Sequence, residues 1–205
     1  MRLLALTDLH NDFKALERSI TRAGAFDAIL VLGDVGVTRS SISRAYRRLA
    51  REQRPVYVIH GNHEDEDDAR ELAGVHGLLF AHRAVVPLED VFVVGYGDDG
   101  FSQERPDLDA FIEELPDLAH RSIVLTHAPP LGTPLDDLEG DHVGDMSVRR
   151  LIERTKPLVA LSGHLHENFH AGGTLGDSII ANPGLGTIVV ITKTAQGYAV
   201  SLKRL

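Results

Sequence analysis

The chain has 205 residues, 43% of them hydrophobic and 25% charged, no cysteine, and a formal net charge of −9. This composition supplies enough apolar material for one large core. It excludes disulfides and thiolate metal sites, and the acidic balance disfavours nucleic-acid polymers as partners, although a bound cation could still attract a phosphate locally. No apolar run approaches the roughly 20 residues needed to cross a bilayer, and the N-terminal run is too short for a secretory leader. The expectation is a cytoplasmic protein with no membrane partner.

"RLLALT" (2–7) reads as a buried strand, and residues 12–24 as a helix with Phe13, Leu16 and Ile20 at helical spacing and Gly24 as its stop. "AILVLGD" (28–34) is a second strand, 40–54 an amphipathic helix, and "PVYVIHG" (55–61) a third strand. A helix with acids in its first turn follows at 64–74. This β-α-β-α-β-α rhythm predicts parallel pairing through right-handed crossovers. Residues 77–97 read as short strands joined by turns, 107–115 as a helix, and 121–130 as a strand running into a proline-locked loop. A helix at 147–157 precedes a strand at 158–168 that runs into histidines, and the Gly-rich, β-branched tail (169–205) is expected to be sheet. With no repeat or linker, the reading is one α/β domain spanning 1–205, its second half richer in antiparallel strands.

Five of these strands end in the same punctuation. Asp8 and His10 follow the first, Asp34 the second, and Asn62 and His63 the third; His127 follows "SIVLT", and His164 and His166 follow "LVALSG". Ligands of open α/β sheets bind beyond the carboxyl ends of strands, so one sheet of these strands would gather all these side chains at one edge. Imidazoles, carboxylates and an amide oxygen without sulfur suit divalent ions such as Mn, Fe, Zn or Ni. Seven ligands are too many for one tetrahedral ion and about right for two that share a carboxylate, an arrangement that makes a bridging hydroxide from water and hydrolyses phosphate esters. Asp34, flanked by Gly33 and Gly36, is the candidate bridge. On extended backbone, residues two apart project to one side, which would pair Asp8 with His10 and His164 with His166. Gly61 and Gly163 each precede a ligand, where the strand is expected to turn sharply.

In order, "DLH" (8–10), "GD" (33–34), "GNHE" (61–64), "THAPP" (126–130) and "GHLH" (163–166) resemble the motif series of the calcineurin-like metallophosphoesterases. The "NPG" at 182–184 is similar to that of small archaeal and bacterial members. The resemblance implies an αββα sandwich of two mixed sheets flanked by helices. It implies one ion on Asp8, His10, Asp34 and His166, and a second on Asp34, Asn62, His127 and His164, with manganese ahead of iron, zinc or nickel. His63 would face the substrate and protonate the leaving oxygen, and Glu64 would help to orient that imidazole. The implied activity is a phosphoesterase acting on a small phosphate ester, a diester ahead of a monoester.

Outside the motifs, His76, His82, His120 and His170 read as surface residues, and His60 as a structural strand residue that could alternatively support the site. Asp141 and His142 are candidates for the substrate pocket, and specificity loops are expected around 96–107 and 131–147. The cationic run at 47–52 reads as a solvated helix face. Two rival functions share the motifs: a nuclease subunit of a DNA-repair assembly, and a non-catalytic scaffold of the same fold.

Overall fold

The computed structural model describes residues 1–97, 100 and 102–205. Its first half follows the expected rhythm: β1 (Arg2–Leu6), α1 (Phe13–Ala23), β2 (Ala28–Leu32), α2 (Arg39–Ala50), β3 (Val56–Ile59), α3 (Glu66–His76) and β4 (Leu79–Phe80). β1, β2, β3 and β4 pair in parallel, in that order. These strands are continuous apolar runs because both of their faces are covered. Leu4, Leu6, Ile29, Val31, Val56 and Val58 pack under α1, α2 and α3. Their alternates Leu3, Ala5, Leu30, Leu32, Tyr57 and Ile59 face a second sheet.

That second sheet is built from β5 (Ala84–Leu88), β6 (Val91–Tyr96), β7 (Ser122–Thr126), β10 (Val159–Ser162), β11 (Gly172–Leu175) and β12 (Ser178–Ala181), in the order β11-β12-β10-β7-β6-β5. Helices α4 (Pro106–Glu114) and α5 (Met146–Thr155) cover its outer face over Val94, Val124, Ala160 and Ile180. The tail divides between the sheets. β12 runs parallel beside β10, whereas the antiparallel pair β13 (Thr187–Thr194) and β14 (Gly197–Arg204) extends the first sheet from β1. The architecture is therefore helix, sheet, sheet, helix, with two six-stranded mixed sheets. A short hairpin in the 131–147 loop, β8 (Asp137–Leu138) with β9 (Asp141–His142), had no signal in the sequence. No helix among the described residues is long and apolar enough to cross a membrane.

All the α-helices except α4 begin with a side-chain cap. Asp12 accepts the amide of Ala15 at 2.8 Å. Asp65 caps α3 by accepting the amide of Asp68 at 3.1 Å, with Glu66, Asp67 and Asp68 in the first turn where the helix dipole favours them. The acid row after His63 is thus a helix start from Asp65 onward, and α3 begins two residues later than its sequence pattern suggested.

Candidate metal centre

The eight punctuating side chains come from loops at the ends of β1, β2 and β3 in one sheet and of β7 and β10 in the other, not from one sheet edge. β2 faces β7 across the sandwich, which brings the Asp34 loop to His127. The backbone that aims these groups is not extended. Asp8, His10, Asp34 and His164 all have positive φ, at 53°, 42°, 53° and 68°, and His166 opens a single 3-10 turn. Asp8 and His10 meet as expected, but not by strand alternation, and His164 and His166 fall in different donor sets; left-handed turns, costly for residues with a Cβ, produce the convergence instead.

The chain turns sharply at Gly61 and Gly163 as expected, their carbonyls accepting the amides of Glu64 at 3.3 Å and Leu165 at 2.9 Å, although neither glycine has positive φ. They permit close approach. A Cβ on Gly61 would strike Asp34 Oδ1 and lie 2.6 Å from His127 Cε1. On Gly163 it would strike Thr7 Oγ1 and lie 2.7 Å from Asp8 Oδ2.

The donor atoms gather in two overlapping sets. In the first, His10 Nε2 and His166 Nε2 are 3.1 Å apart, and Asp8 Oδ1 lies 3.8 Å from the former and 3.5 Å from the latter. In the second, Asn62 Oδ1 lies 2.9 Å from His127 Nε2 and 3.1 Å from His164 Nδ1. Asp34 Oδ2 stands between the sets, 3.6 Å from both His10 Nε2 and His127 Nε2. The other oxygen, Oδ1, accepts the backbone amide of His63 at 2.9 Å.

Two observations test whether these residues fit cations. Asp8 Oδ1 is a buried oxygen with no hydrogen-bond partner, while Oδ2 is occupied by Thr7 Oγ1 at 2.7 Å and the His164 amide at 3.0 Å. A buried carboxylate oxygen without a donor is expensive, and a cation at that point removes the cost. His127 Nδ1 lies 2.9 Å from the carbonyl of Leu32, an acceptor only, so the ring proton sits on Nδ1 and the Nε2 lone pair points at the cluster. That lone pair and Asn62 Oδ1 then face the same space as two acceptors. The donor set fits divalent ions.

Protonation agrees with this for His164 and His10 and runs against it for His166. Burial, reinforced by His127, pushes His164 down to about 4, and burial holds His10 below its ordinary value against the pull of Asp34 and Asp8. Burial opposes ionisation of Asp8, but its histidine neighbours outweigh that and keep its carboxyl low. His166, ion-paired with Asp8, is raised.

His63 is exposed at the mouth of a cavity of about 430 Å³ that His10, Asp34, Asn62, His164 and His166 also line. Its ring meets that of His10 edge-on at 5.0 Å. Glu64 does not orient it. The Glu64 side chain is turned into the protein, 6% exposed, and each of its bonds is to a backbone amide: Asp34, Val35, Gly36 and Gly61. Nor does the structure bring Asp141 and His142 to the cavity, as far as the described lining residues go. Both are exposed on the β8–β9 hairpin, where His142 Nδ1 contacts the buried Asp136 carboxylate at 2.9 Å. The hairpin's own turn decides their direction, and it points them at solvent and at Asp136. Of the two expected specificity loops, 96–107 lies partly outside the described residues.

His82 is not a surface residue. It is 6% exposed, meets the equally buried His60 ring edge-on at 4.7 Å, and accepts the amide of Gly97 at 2.9 Å. An aromatic neighbour two residues before it, Phe80 in β4, was the only sequence signal for burial.

The profile of the calcineurin-like phosphoesterase family matches residues 1–168. No curated protein matches the chain. Among solved structures, the fold is similar to TT1561 of Thermus thermophilus, with 20% identity, a TM-score of 0.69, and coverage of 98% of this chain and 97% of that one. It is also similar to the phosphopantetheinyl hydrolase PptH of Mycobacterium tuberculosis, with 14% identity, a TM-score of 0.65, and coverage of 89% and 88%. A third likeness is to GAP50, the anchor in the inner membrane complex of Plasmodium, with 12% identity, a TM-score of 0.60, and coverage of 98% and 84%. At these identities the structural likenesses establish the fold alone.

Proposed function

The chain belongs to the calcineurin-like phosphoesterase family, hydrolases of phosphate esters that use divalent metals, and from that premise we propose that it cleaves a small phosphate diester with two divalent ions. The observation that carries the reading is the position of Asp34 Oδ2, 3.6 Å from a histidine nitrogen of each donor set. One ion would be held by Asp8, His10, Asp34 and His166, the other by Asp34, Asn62, His127 and His164, with manganese the first choice. Bound in pairs, such ions would lower the pKa of a bound water toward neutrality and offset the negative charge that builds on the phosphoryl oxygens.

The chain's own residues supply the rest. Leu32 fixes the tautomer of His127, and Thr7 and the His164 amide fix the Asp8 carboxylate, so the donors are preorganised. His63, anchored through its amide to Asp34, presents its ring at the cavity mouth, where it faces the leaving oxygen and protonates it. Diester preference is supported by charge: among the described residues lining the cavity there is no lysine or arginine. A dianionic monoester would find no side-chain cation for its second charge, whereas a monoanionic diester needs none.

A non-catalytic scaffold without metal would leave the buried Asp8 Oδ1 with no hydrogen bond and only the half-exposed His166 as counter-charge. A nuclease would need lysines or arginines at the cavity mouth to track a backbone, and the described lining offers neither. A cytoplasmic location belongs to the same proposal and rests on the cysteine-free composition.

Turnover of bis-p-nitrophenyl phosphate and of p-nitrophenyl phosphate with Mn²⁺, before and after chelation, tests the reading in native protein and in Asp34→Asn. The expected result is metal-dependent turnover favouring the diester and lost in the variant. Metal-independent turnover, or an Asp34→Asn protein as active as native, overturns it; a monoester preference overturns the diester assignment alone.

A further inference from the structure

On the outer face of α1 and α2, Phe13, Glu17, Arg44, Arg47, Arg48 and Arg51 line a second cavity of about 220 Å³. Four guanidiniums meet there with one carboxylate, in a chain that carries 30 acidic residues against 21 basic ones. Spacings of three and four residues put the arginines on one helix face, where like charges destabilise the helix. The dipole of α2 favours Arg47 and Arg48 in its last turn, and Arg48 is neutralised by carboxylates, but the remaining cations of the row have no bound counter-charge.

The row is also partly immobilised. Arg48 Nε and Nη2 donate to the two oxygens of Glu17 at 2.6 and 2.8 Å, and Nη1 donates to Glu52 at 2.6 Å, which locks the side chain across both helices. Arg44 stacks its guanidinium on the Phe13 ring at 4.0 Å from the centroid. Among the described residues, Arg44, Arg47 and Arg51 make no ion pair within 4 Å, although Arg51 lies close enough to help Arg48 hold the Glu17 carboxyl low. Arg44, held on Phe13 before a ligand arrives, loses less entropy on binding it.

We propose that this pocket binds a condensed phosphate chain, free or as the tail of a nucleoside triphosphate. Planar guanidinium forks match phosphoryl oxygens two at a time. Arg44 to Arg51 span roughly 10 Å of helix axis, which is longer than a single phosphate and suits two or three linked ones. Arg44 already covers the Phe13 ring, so no aromatic face is left for a base, and recognition falls on the phosphates alone. A long nucleic-acid backbone would meet the repulsion of the −9 net charge, which a short chain largely avoids.

The test is calorimetric titration of the full chain, freed of metal so that the donor cluster cannot hold phosphate, with inorganic tripolyphosphate. Native protein binds saturably at low salt, more weakly as salt rises, and the triple variant R44Q/R47Q/R51Q binds at least tenfold more weakly. Arg48 is kept because it ties the helices together; an unchanged circular-dichroism melt verifies that the variant folds. Adenosine triphosphate binding with equal affinity assigns the site to either source, and its failure to bind assigns it to the free chain. Asp34→Asn binds tripolyphosphate as native does, and R44Q/R47Q/R51Q turns over bis-p-nitrophenyl phosphate at the native rate, so this site and the hydrolytic centre stand or fall separately. The proposal is overturned by an absence of saturable binding, by equal affinity in the triple variant, or by hexaglutamate or an oligonucleotide binding as tightly as tripolyphosphate.

Discussion

The Glu64 carboxylate accepts the backbone amide of Asp34 at 3.0 Å, and with the same two oxygens it accepts the amides of Val35, Gly36 and Gly61 at 2.8, 3.3 and 3.1 Å. One buried side chain thereby fastens the loop after β2 to the loop after β3, the two segments that present Asp34 and Asn62. Burial, helped by the charge of Asp34, pushes its carboxyl up to about 7 against the stabilising amides. Its influence on the centre passes through the backbone rather than through His63.

Glu64→Gln replaces one acceptor with an NH₂ donor that must face backbone N–H groups. Leaving a buried amide unpaired costs about 1–3 kcal/mol. Urea unfolding of the metal-free variant is therefore expected to show that loss, and Mn²⁺ titration a weaker affinity, because Asp34 and Gly61 are no longer held together. Native stability together with native Mn²⁺ affinity would show that these four amides do not depend on Glu64.

His63→Ala separates catalysis from metal holding. One ring nitrogen of His63 lies within 4.8 Å of donor atoms of His10 and Asp34, so geometry alone would also admit it as a ligand. As an acid, its removal is expected to leave bound metal unchanged while lowering kcat by about 10²-fold or more. The loss should be larger for an alkyl diester than for a nitrophenyl one, whose leaving group barely needs a proton. Metal analysis of the purified variant decides the matter, since depleted metal would place His63 among the ligands.

Gly163→Ala tests the close approach behind Asp8. The added methyl would collide with Thr7 Oγ1 and Asp8 Oδ2, which hold each other at 2.7 Å. Overpacking of this kind costs about 1–3 kcal/mol. Here it also displaces a ligand, so a lower melting temperature and at least tenfold weaker Mn²⁺ binding are expected. Gly74→Ala is the control: a Cβ there meets nothing within 4 Å, and the residue lies inside α3, so its melt should be native or slightly higher. Native metal affinity in Gly163→Ala would mean that Asp8 tolerates the shift.

Uninterrupted apolar runs such as Leu3–Leu6 announced strands buried on both faces, and the polar group after each announced the site. An apolar run does not say which sheet it joins, so the two sheets were legible only through the resemblance, and the split of the tail at β12 and β13 was not legible at all. Asp8, Asp34 and His164 occupy left-handed backbone that nothing in their side chains demands; the packed surroundings impose it. Glu64 was hidden in a row of acids, because only the position of four amides distinguishes it from Asp65 beside it. His82 was misread for a similar reason: its burial follows from the Gly97 amide, which lies fifteen residues away.

That burial has a pH consequence. Burial pushes both His60 and His82 down to about 4, with Glu66 opposing in each case and the nearby Arg70 and Arg83 reinforcing the shift. His82 Nδ1 accepts the Gly97 amide, so a second proton on that ring displaces this bond, and Glu66, 3.5 Å from His82 Nε2, offsets only part of the cost; His60 Nδ1 is buried without a hydrogen-bond partner. In the unfolded chain the same rings titrate near their ordinary value of 6.5. Between about pH 6.5 and 4 the unfolded state therefore binds more protons than the folded one, and stability falls as pH falls. The contribution is intact above pH 6.5 and is lost progressively on acidification, at up to about 1.4 kcal/mol per pH unit for each ring. His82→Gln keeps a neutral acceptor for Gly97 without a titrating group. Urea unfolding of metal-free native and variant proteins from pH 7.5 to 4.5 should give curves that differ in slope below pH 6.5, the native one being steeper. Parallel curves would mean that His82 protonates as easily in the folded protein as in the unfolded chain.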